Sequence, residues 1–277
     1  MHSRSVVYAY PAWVRFVLAL LAGLRFAGVW VVALLVLLAT DPPIIPPVLF
    51  PLFACFVAFP WALEWGLRLP FRAQSEWQNG LWVLQTRRVR IEMPESSLAY
   101  VAPWSIPLPR PGGNVHLRSG RMLRERIEGM PAALAERWAK PGAPPMQAAS
   151  LAFLRARCAQ TPWRLRHFLL KYAAFALLPA LVAFHLHQHI AYGSFWGEYY
   201  LRGARAFLRT AGEYHGTVVI YLLLYAGLLR SAAEVGTWLA TLASPRQAER
   251  WRWAAERFCQ IGYYGGVPAF LALRLLL

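Results

Sequence analysis

VRFVLALLAGLRFAGVWVVALLVLLAT, residues Val14–Thr40, decides the class of this chain. After Arg25 it carries no charged residue, and roughly 20 apolar residues in a helix are enough to cross a bilayer core. A segment in lipid has to satisfy its own backbone hydrogen bonds, so a helix is expected here. Arg15 and Arg25 can snorkel toward the interface where the helix starts, which places the N-terminus in the cytoplasm. No small-residue cleavage site follows, so the segment reads as a retained anchor rather than a leader.

Outward from this anchor, Asp41–Pro47 is a proline-rich breaker, expected as a short outside loop. A second span follows over Val48–Leu67, kinked by Pro51 and Pro60, with Trp61 and Trp65 at its far end and Arg68 and Arg72 closing it. Further apolar runs predict spans at His167–Leu186, Gly216–Leu242 and Phe258–Leu277. The fold expected is an α-helical polytopic membrane protein of about five transmembrane helices with a small α+β cytoplasmic insert. Its parts are an N-terminal hairpin (1–67), the insert (68–166) and a C-terminal membrane region (167–277), and five spans put the C-terminus outside.

Composition agrees with this class. The 277 residues are 58% apolar and include 13 Trp, 12 Tyr and 15 Phe. The net charge of +16 could speak for nucleic acid or for membrane topology, and its distribution decides. From Leu67 to Arg166 there are 16 basic residues against 6 acidic ones, between two apolar segments, as expected of a loop kept inside a bacterial inner membrane. No basic run with interleaved aromatics and no nucleic-acid motif is present, so no nucleic-acid partner is expected. Three scattered cysteines, Cys55, Cys158 and Cys259, form neither a disulfide framework nor a thiolate metal site.

Within the insert, Leu81–Met122 predicts three or four short strands, with a turn at Pro111–Asn114. Helices are expected over 122–140 and 146–160, separated by the breaker Pro141–Pro145. Glu92, Glu95, Glu125 and Glu128 stand among arginines and read as a solvated, ion-paired surface.

Phe184–Gly216 holds four of the seven histidines. His185 and His189, four apart on a helix, share a face, and His215 opens the next span. The three are candidate ligands for a transition metal (zinc, iron or copper), with Glu198 or Glu213 completing the shell or acting as acid/base. Their alternative role is as residues of the lipid–water boundary. Residues 195–211 predict an outside-facing amphipathic interfacial helix, with Arg202, Arg205 and Arg209 on one face for phosphates and Glu198 able to pair with Arg202. Arg230 and Glu234, also four apart, form a candidate intramembrane ion pair.

These features favour a non-catalytic membrane component, an assembly, anchoring or lipid-handling subunit of an envelope complex, with lipids and other membrane subunits as partners. The alternatives are a metal-dependent enzyme acting on a lipid-linked substrate at the outer face, its substrate held by the three arginines, and a transporter subunit built on Arg230 and Glu234.

Overall fold

A computed structural model describes residues 5–38, 46–78, 80–87, 89–139, 144–159, 165–269 and 272. Most of the Asp41–Pro47 loop, most of the Pro141–Pro145 breaker, and Arg274 with the end of the expected fifth span lie outside the described residues.

The chain opens with β1 (Ser5–Tyr10) and α1 (Ala12–Leu38). Next come α2 (Pro46–Phe53), a π-helical turn (Ala54–Ala58) and α3 (Phe59–Arg68). Pro51 and Pro60 flank that turn, and each lacks the N–H that an α-helix needs at its position, so the wider turn lies where regular bonding is already interrupted. Six strands follow: β2 (Arg72–Gln78), β3 (Leu81–Thr86), β4 (Arg90–Pro94), β5 (Leu98–Pro103), β6 (Gly112–Leu117) and β7 (Arg126–Glu128). Then come α4 (Ala132–Arg137), α5 (Pro145–Cys158), α6 (Leu165–Leu169), a second π-helical turn (Leu170–Ala174) and α7 (Phe175–Tyr192). The chain continues through α8 (Gly197–Arg202), α9 (Ala204–Ala243) and α10 (Ala248–Tyr264).

Two compact units result: one from Met1–Arg25, Ala58–Thr161 and Ala233–Glu256, the other from Phe26–Val57, Pro162–Ala232 and Arg257–Leu277. The first is built on a curled antiparallel half-barrel of seven strands in the order β4-β3-β2-β1-β7-β6-β5. Its middle strand is β1, paired with β2 on one side and β7 on the other. Side chains alternate across a strand, so β1 serves both faces. Val7 and Ala9 enter a core with Trp82, Leu84, Val115 and Ile127, covered by Ala135 of α4 and Leu154 of α5. Tyr8 and Tyr10 point the other way, against Val14 and Leu18 of α1 and Trp104.

In the second unit α9 is the central element. Ile220 and Leu224 pack with Val32 and Ala33 of α1 and Leu49 of α2, while Leu222 and Ala226 pack with Ala176 of α7 and Tyr263 of α10. Trp30 Nε1 donates to Ser231 Oγ at 2.9 Å.

The expected fold class needs correcting in two places. Among the described residues four helices, not five, are long and apolar enough to cross a membrane: Ala12–Val36, Pro46–Phe71, Arg166–Tyr192 and Ala204–Ala243. At the expected fifth span, α10 starts ten residues early and carries Glu249, Arg250, Arg252, Glu256 and Arg257, which an apolar span cannot hold. Secondly, the β structure is not a small insert of three or four strands. It has seven, and its central strand comes from ahead of the first apolar helix, because β1 supplies the apolar alternation that β2 and β7 need on both edges.

Two local differences have physical causes. Pro111–Asn114 does not turn; Gly112 and Gly113 open β6, and a Cβ at Gly112 would collide with the carbonyl oxygen of Ile127 and the Trp104 ring. Residues 195–211 are not one helix, because Gly203 takes a left-handed φ of 84° and separates α8 from α9.

Candidate functional site

The densest chemistry among the described residues is a buried chain of charges in the first unit. Glu64 is the only acidic residue between Pro46 and Phe71, and its side chain is only 1% exposed. One turn on, Arg68 Nη2 meets Glu64 Oε1 at 2.6 Å, and Arg25 Nη1 approaches Glu64 Oε2 at 3.2 Å. Arg68 also turns its Nε toward Glu128 Oε1 at 3.3 Å, and Glu128 is fully buried in β7. Tyr10 Oη donates to Glu128 Oε2 at 2.7 Å, and Arg110 Nε lies 3.8 Å from Glu128 Oε1. Most of these are charge contacts rather than well-angled hydrogen bonds, since both Glu64 oxygens and Arg68 Nε and Nη2 lack an aligned partner. Coulomb attraction in a low dielectric therefore holds the chain together, and each charge depends on its neighbours.

Alternation places the parts. In the β1–β7 pairing Tyr8 faces Glu128 and Tyr10 faces Arg126, while Gly112 of β6 lies beside Glu128. Burial raises the Tyr10 phenol above its ordinary range, and the Glu128 charge and the hydrogen bond to it add to the rise; Arg68 and Arg15 oppose it. A phenol held neutral in the folded state ionises more easily when unfolded, at about pH 10. Tyr10 thus makes no pH-dependent demand at neutral pH, and stability falls as pH rises above about 10. Tyr10→Phe is expected to lessen that alkaline loss while costing about 1–3 kcal/mol at pH 7, since Glu128 Oε2 loses its donor. Denaturation of the two proteins between pH 7 and 11 checks both signs.

A second charge cluster lies in the same unit. Arg252, 4% exposed, grips Glu234 with both terminal nitrogens at 2.8 and 2.9 Å and reaches Glu256 at 3.0 Å. Arg157 of α5 adds a contact to Glu234 at 2.7 Å. Glu234, one half of the expected intramembrane pair, is held by Arg157 and Arg252; Arg230, the other half, is half-buried one turn earlier on α9.

The histidine stretch lies in the second unit. His185 and His189 are exposed on α7 with ring centroids 4.4 Å apart. His187 instead lies beside Tyr192 and Tyr214, and His215 is half-buried on α9 with a buried Nδ1 that has no hydrogen-bond partner among the described residues. Among the described residues no three His, Cys, Asp or Glu side chains come together as a metal-holding group.

Glu198, 2% exposed, takes a different part from the expected pairing with Arg202. Its carboxylate accepts from Gln188 Nε2 at 2.7 Å and Thr210 Oγ1 at 2.8 Å, and its own N–H reaches Gln188 Oε1 at 3.4 Å. The carboxylate fastens the 193–203 connection to α7 and α9 through neutral donors. Arg202 instead lies over the Tyr192 ring at 5.6 Å, and Arg209 pairs with Glu213 at 2.9 Å on the surface. Arg202, Arg205 and Arg209 are all exposed, but Gly203 divides them between two helices, so no continuous helical face presents them.

Sequence reasoning missed Glu64, and it placed Glu128 on a solvated ion-paired surface, whereas Glu128 is fully buried. The signal for Glu64 was its isolation in an apolar run, four residues before an arginine. Glu128 gave none, because only tertiary pairing buries it. Glu92 and Glu95 do form exposed pairs, with Arg90 and Arg137. Set against protein families, curated proteins and solved structures, the chain matches none.

Proposed function

We propose that this chain is a multi-pass integral membrane protein of the bacterial inner membrane, with a non-catalytic role: its helices hold the half-barrel sheet at the cytoplasmic face as an anchoring or assembly platform. The observation that carries this reading is the surface of the four apolar helices. Only 33%, 11%, 22% and 22% of their most apolar windows are buried inside the protein, so most of that surface needs a cover other than the chain itself. Water is a poor cover for it and lipid a good one.

Charge spacing supports a bilayer more specifically. Between Pro46 and Leu63 there are 18 residues without Asp, Glu, Lys or Arg, roughly 27 Å of helix at about 1.5 Å per residue. The stretch from Tyr172 to Tyr192 gives 21 such residues, or roughly 31 Å. Both match a hydrocarbon core of about 30 Å. The bilayer then begins beyond Arg25 and Glu64, and the first turns of α1 lie outside it, packed on the sheet. Arg68 ties the second span to the sheet core through Glu128, a link suited to holding a platform in place. The 16 basic residues between Leu67 and Arg166 favour the cytoplasmic side for the sheet.

Alkaline carbonate washing of cell membranes tests this reading. The full-length chain should stay in the pellet and enter solution only with detergent. Release by carbonate alone would overturn it.

A further inference from the structure

We infer that Arg25 and Arg110 together form a site for the phosphate of an anionic membrane lipid, at the rim of the buried charge chain. This rests on the membrane reading above, which puts Arg25 at headgroup level.

The charge chain is not neutral. Within these contacts Arg25, Arg68 and Arg110 carry three positive charges against the two carboxylates of Glu64 and Glu128. That excess collects where the chain meets its surroundings. Arg68 is buried, whereas the Arg25 side chain is 24% exposed and that of Arg110 53% exposed. Arg110 has no hydrogen bond among the described residues; its one charge contact, to Glu128, is at 3.8 Å, too long for one. Its guanidinium, a planar fork suited to phosphate, keeps its donors available. Arg25 and Arg110 flank the same chain of charges, Arg25 at Glu64 and Arg110 at Glu128, the two carboxylates that Arg68 joins.

Position selects the class of anion. Arg25 is the last charged residue of α1, since Phe26–Leu38 has none, and Glu64 ends the uncharged run of the second span. A phosphate at this depth lies where a membrane lipid presents its headgroup. Arg110 comes from the Pro103–Gly112 connection between β5 and β6, so the site would join the sheet to one lipid as well as to two helices.

The test is titration of the detergent-solubilised full-length protein with phosphatidylglycerol, phosphatidylcholine or inorganic phosphate, with bound lipid counted by native mass spectrometry. Wild type should bind phosphatidylglycerol at least about fivefold more tightly than phosphatidylcholine, the weight expected of one arginine beside an anionic headgroup. Arg110→Gln should bring the two lipids within about twofold while the lipid-free protein stays folded, with a melting temperature well above that of Arg68→Ala. Arg90→Gln, which removes an exposed arginine from β4, should behave as wild type. Equal binding of both lipids by wild type, or an unchanged preference in Arg110→Gln, would overturn the inference. So would inorganic phosphate binding as tightly as the lipid, because a soluble ligand would then suffice. Carbonate washing of both variants keeps the two ideas apart, since Arg110→Gln should stay in the membrane pellet even where its lipid preference is lost.

Discussion

Arg68→Ala is expected to remove about 3–5 kcal/mol of stability, the usual cost of breaking a buried ion pair by deleting one partner. The reason is its position between two carboxylates. Without Arg68, Glu64 retains only the half-exposed side of the chain at Arg25, and Glu128 retains the Tyr10 hydroxyl and a distant Arg110. Both carboxylates would stay buried with too little positive charge nearby. Total stabilities run to about 5–15 kcal/mol, so a loss of this size should lower the yield of monodisperse protein in detergent and its melting temperature together. Arg68→Lys should fall between wild type and alanine, because a single ammonium cannot serve two carboxylates as a guanidinium does. Glu64→Ala should also destabilise, and the double variant should lose less than the two single losses added together, since each removes part of the same interaction. Full additivity would mean that the charges act independently.

The second large effect concerns backbone packing in the other unit. A Cβ at Gly28 would strike the main-chain carbonyl of Phe56 in the π-helical turn. Phe56 is four residues before Pro60, which has no N–H to offer it, so α1 meets the neighbouring helix where regular bonding is interrupted. Backbone cannot move aside as a flexible side chain can. Gly28→Val should therefore cost about 3 kcal/mol or more, above the usual 1–3 kcal/mol of overpacking because two helices have to separate. Gly23 on the same helix has nothing within 4 Å of the equivalent position. Gly23→Ala should then be neutral or gain up to about 1 kcal/mol from helix propensity. Melting temperatures of the two variants, measured side by side in detergent, separate close packing from a general intolerance of glycine replacement.

The contrast between these sites shows what the sequence made legible. Apolar runs broken by Pro-rich segments pointed to the four long apolar helices, because the length of an uncharged run is a local property, but they also predicted a fifth span that the described residues do not form. The sheet was only half visible. β3 to β6 show their alternation and turn residues, but β1 is a six-residue stretch directly ahead of the anchor whose partners appear only once β2 and β7 are seen to pair with it. Gly112 and Gly113 carried a misleading turn signal, since glycine serves close approach as well as chain reversal, and the Trp104 ring that requires it is eight residues away. Site residues divided the same way. Glu198 stood out by its place between apolar segments, but its bond to Thr210 depends on the break at Gly203, where one expected helix becomes two. Arg68 looked like a residue closing a span, and its second carboxylate, 60 positions along the chain, could only come from the fold.

Two-sided cysteine labelling tests the central claim most directly. Ser119, in the hairpin after β6, and Ser194, between α7 and α8, are both exposed, and each can be replaced by cysteine in a chain whose Cys55, Cys158 and Cys259 have become serine. With a membrane-impermeant maleimide, Ser119→Cys should label in inside-out vesicles and not in intact cells freed of their outer layers, and Ser194→Cys should do the reverse. Labelling of both positions from the same side would contradict a bilayer crossed by Arg166–Tyr192, and with it the account of a sheet anchored at one face.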